Sequence, residues 1–357
     1  MQRAMTANRL VRPLAYALVG AALAVPAVYT GVHTAHAWHR EGFADFRGTI
    51  WSPGNAIRAG GSPYPSPTPV SNLAGSPSVY PPPLILAAGV PLSLLRFQAA
   101  GVLWALVLGA AMVASLLVLG VRDWRCYAVA LPSIPVVTGL LSGNATLLLV
   151  LLVATAWRFR DRQWTPGIAL ACALAMKPFV IPMLVWLAAT RRWRALCAAV
   201  AGAVVLVLAG WAAIGFDGFR AYPRLLANLG GVAGPHGASV YALVRDFDAG
   251  HRSAEAVGLL VALVVLVAGR GSFNSAVLAS LVATPVIWVH YFALLFVVAA
   301  AASRWISPRW LLPLALGPTA WWVGETRPAW VTAIGLAAAC LACAYPSRRE
   351  PEDPNPV

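Results

Sequence analysis

Apolar runs return along almost the whole chain, from PLAYALVGAALAVPAVYTGV at 13–32 to WVTAIGLAAACLACAY at 330–345. Nothing constrains the fold more. About 20 apolar residues, rising about 1.5 Å each, cross the ~30 Å hydrocarbon core of a bilayer. Inside lipid only helices and closed barrels satisfy every backbone N–H and C=O. Runs this continuous predict an all-α integral membrane protein. Charged residues make up 11% of the chain and mean hydropathy is +0.73, against about a quarter charged in soluble domains. No stretch is left for a separate soluble domain. The expected organisation is one membrane domain over 1–346 and a disordered, Pro-rich cytoplasmic tail over 347–357.

The net charge of +14 invites a nucleic-acid reading. The Lys and Arg residues, however, are scattered in ones to threes between apolar runs, which is how a membrane protein sets its orientation. No nucleic-acid partner is expected. Cys126, Cys172, Cys197, Cys340 and Cys343 lie inside apolar runs without the spacing of a metal site or disulfide scaffold, and read as packing residues.

After 13–32, helices are expected near 84–95, 98–120, 126–141, 144–157, 166–176, 179–190, 195–215, 255–269, 273–288, 291–303, 309–323 and 329–345, giving about 10–13 spanning or half-spanning segments. The segment 84–95 and the pair split by Lys177-Pro178 are too short to cross alone. Irregular backbone at membrane depth is tolerated only where it is buried in protein or lines a cavity, so these segments predict a cavity. If each enters and leaves on one side, the cytoplasmic face carries about twice the arginines of the other, as the positive-inside rule requires. Residues 34–83 then form a long first extracytoplasmic loop, and Asp45, the SGN turn at 142–144 and His290 share its face.

Within 38–52, Phe43, Phe46 and Ile50 follow helical spacing, and Glu41, Asp45, Thr49 and Ser52 form the opposing polar stripe. Trp38 and Trp51 are interfacial anchor types. The pattern predicts a short helix lying in the membrane interface, apolar side down and Asp45 upward, although a merely solvated acid fits the same spacing. AGGSPYPSPTP and YPPP then make a rigid, turn-rich loop, because Pro removes a backbone donor and fixes φ.

Taken in order, these residues resemble a known family. An acid after the first spanning helix, then Ala59-Gly60-Gly61-Ser62-Pro63-Tyr64, then Tyr80-Pro81-Pro82 leading to Pro91-Leu92, is similar to glycosyltransferase family 87. SGNATLLLVLLVATAW resembles that family's Gly-Gln-x-Asn segment, ALAMKPFVIPMLVWLAATRRWRA its Lys-Pro segment, and TPVIWVHYFALL its Trp-x-His segment. The likeness covers roughly residues 40–300. Two positions depart from it: Asn144 stands where Gln is expected, and a single His290 precedes Tyr291 where a His pair is common. The resemblance implies a polytopic GT-C-type fold in a bacterial plasma membrane, with the active site on the extracytoplasmic side. It implies a polyprenyl-phosphate mannose donor, a glycolipid or glycan acceptor, and inversion at the anomeric carbon.

A lipid-phosphate sugar donor asks for positioning, a base for the acceptor hydroxyl, and donors for the departing phosphate. Asp45 is the candidate base. His290 lies in an apolar run whose only other ionisable side chain is Tyr291, and Lys177 is the only charged side chain between Arg162 and Arg191. Ionisable groups at membrane depth usually face a cavity or partner, so both are candidates for donor phosphate, against a packing histidine and a lysine that snorkels to the interface. Arg245, beside Asp246 in SVYALVRDFD, is a further phosphate or substrate candidate that also reads as a surface ion pair. Tyr64 and Tyr80 are candidates for stacking on sugar, or for packing within the loop. Asn144 and Trp288 join the substrate-binding set through the motifs. His33, His36 and His39 are spaced at three, but no acid set accompanies them and no metal is expected. The NAT at 144–146 also fits a glycosylation acceptor. No Gly-rich phosphate loop is visible, as expected for a lipid-delivered donor without further cofactor.

Two other readings use the same features. A lipid or glycolipid flippase also has broken helices and midplane charges, though usually with internal repeats, and no repeat is evident. A membrane glycan ligase would use diphosphate-linked donors and a large late outer loop, for which 216–253 is the available stretch.

Overall fold

The computed structural model describes residues 42–64, 80–315 and 329–344. The expected helix 13–32, Trp38, Glu41, His33, His36, His39, the loop residues 65–79 and the tail 347–357 lie outside them. Every regular element among the described residues is a helix, as the apolar runs require.

Helix α1 spans 44–58 and contains a π-helical turn at Arg47–Trp51; α2, Pro82–Leu92, contains another at Ile85–Gly89. The two helices meet backbone to backbone at Gly54 and Gly89, where a Cβ on Gly54 would lie 2.7 Å from Gly89 Cα and closer still to its carbonyl. Phe43, Phe46 and Ile50 are buried, as their spacing predicts. Their face does not lie down on lipid as expected, because α3, Phe97–Val118, covers it: the Phe46 ring stacks on Phe97 at 6.2 Å and on Trp104 at 6.0 Å. Aromatic rings gain more from such close pairing than from fluid chains. Thr49, assigned to the exposed stripe, is buried as well.

The run expected as one helix over 126–141 is two, α4 (Trp124–Ala130) and α5 (Ile134–Ser142), bent by 59°. Pro132 and Pro135 cannot supply the N–H groups a continuous helix needs. Next come α6 (Thr146–Arg158), α7 (Thr165–Met176), α8 (Pro178–Ala189) and α9 (Trp193–Ala213). The stretch 216–253, expected as loop, carries α10 (Tyr222–Ala233) and α11 (Val240–Arg245). Its turn docks on a later segment: Ala238 N–H donates to Ile287 O at 2.6 Å, and Ser239 Oγ to Pro285 O at 2.7 Å.

After α12 (His251–Ala268), the run expected as helix to 288 stops with α13, Phe273–Ala283. Thr284 precedes Pro285 and takes the extended conformation that proline imposes on its neighbour. Then come α14 (Val289–Ala302), α15 (Pro308–Leu311) and α16 (Ala329–Ala344).

Helices α3, α9 and α12 are each long and apolar enough to cross a membrane, and the bent pair α4–α5 counts as a fourth if taken as one span. They expose large apolar side chains such as Leu106 (65%), Val205 (64%) and Val267 (69%), as lipid-facing surfaces do. By contrast α13 and α14 are buried almost throughout and form the centre of the bundle. At one end, the Asp123 carboxylate accepts from Arg125 N, Nε and Nη2, each at 3.0 Å, and from Ile306 N at 3.0 Å. It thereby ties the start of α4 to the connection after α14. Hydrogen bonding to Arg125 holds this carboxyl down at about 2.

Candidate active site

Three interruptions of the helical pattern converge. The first is the head of α1, where Phe43 sits at φ 62 and its N–H donates to Leu141 O at 3.0 Å. The second is the turn after α5: Gly143 takes the left-handed conformation at φ 69, and a Cβ there would lie 2.6 Å from Phe46 Cβ. Trp104 Nε1 donates to Gly143 O at 2.8 Å, pinning the turn to α3. The third is the end of α7, where Lys177 precedes Pro178 and is extended at φ −147, ψ 107.

These breaks bring four sequence candidates together. Asn144 Nδ2 donates to Asp45 Oδ2 at 2.9 Å. On the other side of the amide, Asn144 Oδ1 accepts from Lys177 Nζ at 2.7 Å, from Thr146 Oγ1 at 2.7 Å and from Thr146 N at 3.1 Å. Tyr80 Oη reaches the same oxygen at 3.3 Å, the longest of these contacts to an atom with two lone pairs. Lys177 Nζ also donates to Thr146 Oγ1 at 3.0 Å and Tyr291 Oη at 3.2 Å, and lies 4.2 Å from the Tyr291 ring centroid and 5.1 Å from that of Tyr80. Lys177 and Asn144 are each 6% exposed, whereas Asp45 is half-buried.

Tyr64 joins through its hydroxyl, which donates to Tyr80 O at 2.8 Å, and its ring stacks on Trp211 at 5.0 Å. Tyr64 and Tyr80 are therefore packed rather than open to a sugar, at 5% and 2% exposed. Burial pushes the Tyr80 phenol well above its ordinary range, with Tyr291 and Asp45 adding to the shift; burial, then Tyr222, does the same for Tyr64. Both remain neutral donors.

His290 is buried beside the cluster and stacks on Tyr291 with ring centroids 4.9 Å apart. Arg245, the last residue of α11, donates to Ala249 O at 2.6 Å in the loop that follows, and half-buried Trp288 precedes the turn that begins α14. Among the described residues neither side chain hydrogen-bonds to the cluster, although Trp288 O accepts from Tyr291 N at 3.0 Å. No group of three His, Cys, Asp or Glu suited to a metal occurs among the described residues. Asn144 is no glycosylation acceptor in this fold, since its amide is buried and engaged on both sides.

Sequence reasoning missed Thr146 and Tyr291. Thr146 was visible only as the third residue of NAT, and Tyr291 only as the neighbour of His290. Neither is charged, so neither stood out against the apolar runs.

In chemical terms the cluster offers one carboxylate with an oxygen free of the amide, backed by a buried amine, three hydroxyl groups and an imidazole nearby. Such a set suits removing a proton from an incoming hydroxyl in a largely apolar setting. The model of the family described as glycosyltransferase family 87 matches residues 79–308, roughly two-thirds of the chain. The match takes in Tyr80, Asn144, Lys177 and His290 and begins after Asp45. No curated protein and no solved structure matches.

Proposed function

The chain belongs to glycosyltransferase family 87 and is a membrane glycosyltransferase, and from this premise we propose that it moves mannose from a polyprenyl-phosphate donor to a hydroxyl of a cell-envelope glycolipid or glycan. In this reading Asp45 is the general base. The acceptor oxygen attacks the anomeric carbon, its proton passes to the Asp45 carboxylate, and the anomeric carbon–phosphate oxygen bond breaks. The polyprenyl phosphate leaves with the electron pair. Attack and departure lie on opposite faces of the sugar, so configuration inverts and a β-linked donor gives an α-linked product. His290 and Arg245 are the candidates for donating to the departing phosphate. The reaction takes place on the extracytoplasmic side of the plasma membrane, where the donor arrives by lateral diffusion and no nucleotide is needed.

The observation that carries this reading is the setting of Asp45. It is the one carboxylate hydrogen-bonded into the cluster among the described residues, held through one oxygen by Asn144 at 2.9 Å and only half-buried. The purified protein would be given radiolabelled polyprenyl-phosphate mannose and a glycolipid extract, with Asp45→Asn alongside. Removing a general base is expected to lower transfer by about 10²–10⁴-fold. Wild-type turnover by Asp45→Asn would overturn the assignment.

A further inference from the structure

We infer that Lys177 is a positioning residue for Asp45, acting through Asn144, and not a ligand of the donor phosphate. The inference rests on the reading of Asp45 as the base. An ammonium has three N–H donors, and Lys177 Nζ meets three oxygens: Asn144 Oδ1 at 2.7 Å, Thr146 Oγ1 at 3.0 Å and Tyr291 Oη at 3.2 Å. Nothing is left to offer a phosphate unless one of these bonds breaks inside a buried site.

The same bonds dictate which way the Asn144 amide faces. Thr146 N is an obligate donor, so the atom it meets must be the carbonyl oxygen, which Lys177 Nζ also reaches. With the oxygen committed there, the NH₂ is turned to Asp45 Oδ2. Flipping the amide would set donors against donors on one side and oxygen against carboxylate on the other. Lys177 and Thr146 thus hold Asn144 in the orientation that fixes one Asp45 oxygen and leaves the second for the acceptor hydroxyl. The Lys177 amine acts on the acid across one amide, without a direct contact that would occupy the carboxylate.

The test measures kcat and donor KM for Asn144→Ala, Lys177→Met and the double variant, using radiolabelled polyprenyl-phosphate mannose and a glycolipid extract. Misplacing a catalytic group by about 1 Å costs on the order of 100-fold, so each single variant is expected to lose about that much kcat. Donor KM should stay within about twofold, and the double variant should be no worse than the worse single, because both remove one pathway. A donor KM raised about tenfold or more in Lys177→Met with kcat retained, or losses that multiply in the double variant, would overturn the inference. Should Lys177→Met fail to elute as a single species, Asn144→Ala decides alone, since it leaves Lys177 bound to Thr146 and Tyr291: unchanged kcat refutes the role. Asp45→Asn run in parallel separates the two claims. An active Asp45→Asn removes the base; an inactive one beside a pure KM effect in Lys177→Met removes only the positioning role.

Discussion

Gly54→Ala sets two physical effects against each other. On helix propensity alone the substitution should stabilise α1 by about 1 kcal/mol, since glycine loses more backbone entropy on folding. The crossing with α2 reverses the sign. A Cβ would stand 2.7 Å from Gly89 Cα, and ordinary contact begins at 3.4 Å, so the helices must part by 3.4 − 2.7 = 0.7 Å at the least. The nearer carbonyl of Gly89 raises this to on the order of 1 Å, and backbone cannot swing aside as a side chain does. Overpacking of this kind costs about 1–3 kcal/mol, which exceeds the propensity gain. Because the head of α1 is tethered at Phe43 to Leu141, the displacement tilts the helix and moves Asp45 against Asn144. A shift of about 1 Å at a reacting group is worth on the order of 100-fold in rate, or about 2.7 kcal/mol. Thermal unfolding in one detergent and kcat for sugar transfer report the two consequences. Gly231→Ala in α10 is the control, since nothing lies within 4 Å of its Cβ and propensity should win there. A Gly54→Ala protein that melts higher than wild type and turns over normally would refute the argument.

Asp123→Asn should narrow the stability range at one end of the bundle. A carboxyl held at about 2 against an ordinary 3.8 contributes stability above pH ~4 and loses it as pH falls through the folded value. The melting gap between wild type and Asp123→Asn should therefore be full at neutral pH and close between pH ~4 and ~2; a gap that stays constant over that window refutes the tie. Asn144→Gln restores the residue the family resemblance leads one to expect, yet it should lower kcat on the order of tenfold or more, because one methylene lengthens the side chain by about 1.5 Å and overpacks a buried site. Wild-type activity in Asn144→Gln would show that the amide is less confined than its contacts indicate.

What could be read from the sequence follows from what periodicity encodes. Apolar runs fixed the helices near 97–118, 193–213 and 251–268 to within a few residues, and the spacing of Phe43, Phe46 and Ile50 identified a buried face. Periodicity does not say what covers that face, so protein packing by α3 was mistaken for lipid. Proline within apolar runs was underweighted: Pro132 splits one helix, and Pro285 ends another early. The 216–253 segment looks thin because Gly and Pro at 234–237 separate its two short helices. In the site, Asp45, Lys177 and Asn144 stood out as polar groups among apolar neighbours or through motif order. Thr146 and Tyr291 did not, because a hydroxyl in such a chain is ordinary until its partners are known. Arg245 stands out in the sequence by its charge, and at the end of α11 one of its terminal nitrogens is tied back to Ala249 O.

The site also shows how a polar centre is made inside an apolar bundle without leaving backbone groups bare. A break between helices frees N–H and C=O groups, and at membrane depth each must find a partner within the protein. In the turn between α5 and α6, Gly143 N bonds Leu140 O, Asn144 N bonds Gly139 O, Leu141 O takes Phe43 N–H, and Gly143 O takes the Trp104 indole. The N–H of Thr146, at the start of α6, is taken by the Asn144 side chain itself. One amide therefore closes the turn with its oxygen and holds the acid with its nitrogen. Its two roles share a geometry, so the backbone that tolerates the break and the carboxylate of the site are positioned by the same residue. That coupling explains why an uncharged side chain sits between the acid and the lysine: a second charge there would satisfy one partner at the expense of the other, whereas an amide satisfies both.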